Sequence, residues 1–116
     1  MPKHAGQIIG AFVFRNEGDG CFTSKYHHGD SDGSPFVEAC KLIRRHIVTT
    51  DPFIGTFRTI WIQDGNIGVT AELIINNHSR ANLYELLWRD MDTSIIIFRG
   101  TAMLFGELLV GTYWDE

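Results

Sequence analysis

Hydrophobic and polar positions alternate along most of this chain, and a period of two marks extended strands with one buried face. In FIGTFRTIWIQ, Phe53, Phe57 and Trp61 fall on one face and Thr56, Arg58, Ile60 and Ile62 on the other. In NIGVTAELII, Ile67, Val69, Ala71, Leu73 and Ile75 share a face opposite Thr70 and Glu72. ANLYELLWR, SIIIFRGTAMLF and LLVGTYW follow, while QIIGAFVFR and GCFTSKYHH stand near the start. The links between runs are short and polar: NEGDG, Asp64-Gly65-Asn66, Asn76-Asn77-His78-Ser79, Asp90-Met91-Asp92 and Gly106-Glu107. Their Gly, Asn and Asp residues tolerate turn conformations, and Gly106 suits the first central position of a two-residue hairpin. Links this short join only antiparallel neighbours.

One segment breaks the alternation. Phe36, Cys40, Ile43 and Ile47 recur at helical spacing, which predicts an amphipathic helix over residues 35–47. Ser34 is placed to cap it, Pro35 suits its first turn, and Thr49-Thr50-Asp51-Pro52 ends it. Lys41, Arg44, Arg45 and His46 lie near the end where the helix dipole favours cations.

Two strands, one helix and five strands exclude an alternating α/β fold. The prediction is an all-β, mainly antiparallel domain. It is an up-and-down barrel, or a strongly curled sheet, of about seven or eight strands, because closure hides the edges of a meander. Gly10-Ala11-Phe12, Gly55-Thr56-Phe57 and Gly111-Thr112-Tyr113 each place glycine two residues before an aromatic, as expected where a strand bends and a ring covers the gap.

At 116 residues, the chain is expected to form a single domain over 1–116, large enough for a core without disulfide or metal staples. The formal charge of −4 and the scattered Lys and Arg residues argue against nucleic acid as a partner. No run approaches the ~20 apolar residues of a membrane-spanning helix, and MPKHAGQIIGAFVF lacks the features of a signal peptide. Cys21 and Cys40 read as free thiols in a reducing compartment, so the cytoplasm is the expected location.

The meander and its Gly-x-aromatic strand openings resemble the calycin group: lipocalins, fatty-acid-binding proteins and avidins. The resemblance implies a barrel that holds a small, largely apolar ligand. Gly10-Ala11-Phe12 stands where lipocalins carry Gly-x-Trp, and the resemblance transfers no binding residue.

The most chemically suggestive stretch is KYHHGDSDGS. Adjacent strand residues point to opposite faces, so His27 and His28 are poorly placed to share a metal, and no motif completes a ligand set. A polar loop is the favoured reading; a rim site using His27 or His28 with Asp30 or Glu38 as acid/base is the alternative. Arg58 and Arg99 sit among apolar strand neighbours, where a charge needs water or a partner. Glu72 or Glu85 is the favoured partner; a ligand carboxylate is the other. In that second reading Arg58, Arg99, Trp61, Trp88, Tyr84 and Tyr113 line a cavity with one polar end. The expected function is therefore non-catalytic binding of a small apolar or amphipathic molecule, without metal or cofactor. The alternatives are a small barrel enzyme and a homodimeric interaction module.

Overall fold

In a computed structural model, the described residues are 9–28, 36–45, 49–63, 67–78 and 82–115. Eight antiparallel strands run in chain order: β1 Gly10–Gly18, β2 Cys21–His28, β3 Phe36–Arg44, β4 Gly55–Gln63, β5 Ile67–Asn77, β6 Tyr84–Asp90, β7 Ile96–Phe105 and β8 Leu108–Asp115. Each pairs with the next, and β8 pairs with β1 to close the barrel. The predicted all-β meander is thus a closed barrel of eight strands.

The helix expected over 35–47 is corrected: Phe36–Arg44 is a strand, paired with β2 on one side and β4 on the other. Inserting it satisfies backbone donors and acceptors along both neighbours, which a helix would leave as open edges. Phe36, Glu38, Cys40 and Leu42 share its more buried face, while Val37, Ala39, Lys41 and Ile43 lie on the other. The cap at Ser34 and Pro35, together with His46 and Ile47, lies outside the described residues. Arg45 does not neutralise a helix end. Its Nη1 donates to the carbonyls of Pro52 (3.0 Å) and Ile54 (2.5 Å), latching the β3–β4 connection.

The turns follow the same local chemistry. Asp19 and Gly20 both have positive φ (53° and 77°) and join β1 to β2 in two residues, as the twist of a hairpin demands. Gly106 has φ 63° and opens the β7–β8 hairpin. After β6, Asp90 Oδ1 accepts from the backbone N–H groups of Asp92 (2.7 Å) and Thr93 (3.0 Å). Asn76 and Asn77, expected in a turn, instead extend β5 and pair with Glu85 and Tyr84. The turn at residues 64–66 lies outside the described residues.

The core is the barrel interior. Phe14, Phe22, Phe57, Leu73, Ile75 and Leu109 fill it toward one end, where the chain between β3 and β4 folds across. Phe53 and Ile54 of that connection are buried, and Phe53 packs on Phe22 with ring centroids 4.9 Å apart. Phe53 therefore precedes β4 and closes the barrel end; it does not continue the strand face of Phe57 and Trp61.

The β1–β8 seam uses two of the Gly-x-aromatic elements reciprocally. Gly10 is paired with Tyr113, and Phe12 with Gly111. A Cβ on Gly10 would lie 2.5 Å from the Tyr113 ring, and one on Gly111 would lie 2.8 Å from the Phe12 ring. Each ring covers the glycine of the other strand, not its own. Gly55 is different: its missing Cβ faces Leu42 and the Arg44 carbonyl, with no aromatic cover.

Candidate ligand-binding site

The end of the barrel opposite Phe53 is built from rings. Ladder register brings Tyr26 opposite both Phe12 and Phe36, Glu38 opposite Trp61, Trp88 opposite Phe98, and Gly100 opposite Tyr113. Tyr113 lies within 5.5–6.4 Å, centroid to centroid, of Phe12, Tyr26, Trp88 and Phe98. Tyr26 and Phe36 stack at 5.5 Å. Tyr26, Phe36, Phe98 and Val69 remain half-buried, whereas Trp61, Trp88 and Tyr113 are buried.

Within this apolar surround sits a carboxyl. Glu38 is 4% exposed, and its Oε2 accepts from the Thr59 hydroxyl and from Trp88 Nε1, the latter at 2.9 Å. Among the described residues, no Lys, Arg or His pairs with it. Burial pushes its pKa upward by disfavouring the charged form, and the bonds from Thr59 and Trp88 oppose that rise. Ser24, directly across the ladder, and Cys40 lie near enough to favour the carboxylate, although the Ser24 hydroxyl meets no partner at good hydrogen-bond geometry. The Tyr113 hydroxyl is also buried without a hydrogen-bond partner. Burial raises the Tyr113 phenol to about 12, with Tyr26 and Glu38 adding to the shift. Tyr26 is likewise raised to about 12, by burial and then by Glu38. The Cys40 thiol, on the same strand face as Glu38, is pushed well up by burial and by that carboxyl.

Unpaired hydroxyls buried in an apolar surround are uncommon and unfavourable by about 1–3 kcal/mol each. Here two of them and a carboxyl lie inside one barrel, with Ser24 directly opposite Glu38 on the ladder. That combination sets a few polar groups among buried and half-buried rings.

The sequence-derived candidates divide by face. Trp61, Trp88 and Tyr113 reach this site. Tyr84 also points inward, but near the covered end, where its hydroxyl donates to Asp51 Oδ2 at 2.5 Å. Arg58 is exposed, between the inward Phe57 and Thr59. Arg99 is half-buried, between Phe98 and Gly100, both on the inner face. Glu72, an expected partner for these arginines, bonds Arg89 Nε at 2.8 Å, and Glu85 lies 3.4 Å from His78. His27 is exposed; His28 is half-buried at the rim, with its ring 6.3 Å from that of Tyr113. Asp30 lies outside the described residues, among which no three His, Cys, Asp or Glu side chains gather as a metal site.

Ser24, Tyr26 and Thr59 escaped the sequence reading, and Glu38 entered it only as a partner for a histidine. The available signal was the alternation of Phe36, Glu38 and Cys40 with Val37, Ala39 and Lys41, which reads as a strand with an acid on its inner face.

No described helix is long and apolar enough to cross a membrane. Comparison of the chain with protein-family models, with curated proteins and with solved structures finds no match.

Proposed function

We propose that this protein binds a small, largely apolar or amphipathic molecule in the aromatic end of its barrel, without catalysing a reaction. The observation that carries this reading is the pair of buried, unpartnered hydroxyls of Ser24 and Tyr113 beside Glu38. An eight-stranded barrel is wide enough either to be filled by its side chains or to hold one small ligand. Gly10, Gly100 and Gly111 remove side-chain volume from the inner wall, so the rings of Phe12, Trp88 and Tyr113 lean against backbone. The half-buried rings of Tyr26, Phe36 and Phe98 are the side chains that turn aside for an entering molecule.

The test is a panel of small alcohols, fatty acids and amines, followed by thermal shift and tryptophan fluorescence. At least one class raises the melting temperature and perturbs the emission, because binding to the native state stabilises it and Trp88 lies at the site. A panel in which nothing shifts either signal removes the binding reading.

A second reading, self-association through the outer surface, draws on one observation. Val37, Ile60 and Ile62 are about half exposed on the outer faces of β3 and β4, with Ala39 directly opposite Ile60. Ile60→Lys should then abolish any concentration-dependent dimer seen by sedimentation. A wild-type protein that stays monomeric at high concentration excludes this reading.

A further inference from the structure

We propose that the ligand of the aromatic end carries a protonated nitrogen, so that the site takes a small organic amine whose ammonium group meets Glu38. This rests on the reading that the barrel interior binds a ligand at all, and it adds the ligand's charge and chemical class.

The argument begins with sign. The carboxyl at the aromatic end is Glu38, and among the described residues no cation pairs with it. The lysines and arginines of β2, β3 and β4, namely Lys25, Lys41, Arg44 and Arg58, are exposed. A carboxylic acid ligand would bring a second negative charge to Glu38, forcing one of the two to hold a proton. A neutral ligand would leave an ionised Glu38 without a counter-charge. An ammonium ion removes both difficulties.

Donor and acceptor geometry agrees. The bonds from Thr59 and Trp88 both fall on Oε2 of Glu38, so Oε1 receives neither. The hydroxyl oxygens of Ser24 and Tyr113 are buried without partners and have lone pairs to offer. An ammonium carries up to three N–H donors, which suits a site whose buried polar atoms are acceptors. Trp88, which bonds Glu38, and Tyr26 and Phe98 all pack near the Tyr113 ring, and aromatic faces attract organic cations most strongly where water is excluded.

Proton linkage supplies an independent readout. Burial holds the empty carboxyl above its ordinary range, whereas a bound cation favours the carboxylate. Amine affinity therefore rises with pH as Glu38 ionises. The other titratable groups near Glu38 are Tyr26 on β2, Cys40 on β3 and Tyr113 on β8, all shifted upward and so neutral near pH 7. His28 stands at the rim of β2, so the profile is measured in a His28→Asn background.

The test uses a matched set, 2-phenylethylamine, 2-phenylethanol and 3-phenylpropionate, titrated calorimetrically into the folded protein. The amine binds at least about tenfold tighter than the alcohol, as expected for a charge-assisted contact, and the acid binds weakest. Glu38→Gln removes the amine's advantage, while Tyr113→Phe weakens amine binding by a smaller factor. Should Glu38→Gln fail to fold, the wild-type comparison and the pH profile decide. Affinity for the amine must rise from pH 5 to 8 while that for the alcohol stays flat. An alcohol or acid that binds as tightly as the amine overturns the amine proposal and leaves the binding reading standing. So does a flat amine profile, or an amine that fails to bind when other panel compounds do. If no compound of any class binds, both readings fall together.

Discussion

Trp88 and Glu38, separated by 50 positions in the chain, meet inside the barrel, where the indole N–H donates to the Glu38 carboxyl at 2.9 Å. The bond ties β6 to β3 across the interior and gives a buried tryptophan the polar partner it needs. It also places an acid where the surrounding rings disfavour its charge.

Stability should therefore fall as pH rises through the range in which Glu38 titrates. Its folded pKa lies above the ordinary value of about 4.5. Below that value the carboxyl is neutral in both states. Above it the unfolded chain ionises first, so the native state loses relative stability until its own pKa is passed. Thermal melts at pH 5 and pH 8 should show a wild-type decline that Glu38→Gln reduces. An equal decline in both proteins would show that Glu38 is not responsible.

The β1–β8 seam tolerates no side chain at Gly111. A Cβ there would lie 2.1 Å from the Thr101 carbonyl oxygen, a backbone atom that cannot swing away, as well as against Phe12. Gly111→Ala should destabilise the fold by about 1–3 kcal/mol or more in urea titrations. Adding Phe12→Leu should recover only part of the loss. Full recovery would mean that the ring, and not the backbone, sets the limit.

At the covered end, Phe53→Ala should cost about 3–5 kcal/mol, because it removes a buried ring packed on Phe22. Tyr84→Phe, which deletes the hydroxyl bonded to Asp51, should cost about 1.5–3 kcal/mol. Denaturant unfolding of the two single variants and the double variant measures both. A Phe53 variant as stable as wild type would show that the connection does not seal the barrel.

The two thiols should differ in reactivity. Cys40 is buried with its pKa pushed up, whereas Cys21 is half-buried near the β1–β2 turn. A thiol reagent at pH 7.5 should modify Cys21 in the native protein and reach Cys40 only on unfolding. Rapid labelling of both would mean that the interior around Glu38 opens readily.

Alternation alone carried most of the architecture. Runs such as NIGVTAELII place every second residue inside, and the structure keeps that assignment from Val69 to Ile75. The turns at Asp19-Gly20 and Gly106-Glu107 were legible because positive φ selects a few residue types. Phe36–Arg44 misled because Phe36, Cys40 and Ile43 fit a helical period, whereas Ile43 falls on the outer face of the strand, and its Glu, Ala, Lys, Leu and Arg residues favour helices. Pairing with two neighbouring strands outweighs that local preference.

The sequence by itself thus determined the strand class, the antiparallel order and most inward faces, because these depend on period and turn chemistry within a few residues. Tertiary structure decided what lies beyond local range. Closure made the third segment a strand, since an edge on β2 and another on β4 both required a partner. Barrel register then brought Ser24, Glu38, Thr59, Trp88 and Tyr113 from five strands into the interior. Separations of up to 89 positions leave no local spacing that could announce such a cluster; only the stagger and curvature of the closed sheet bring those side chains together.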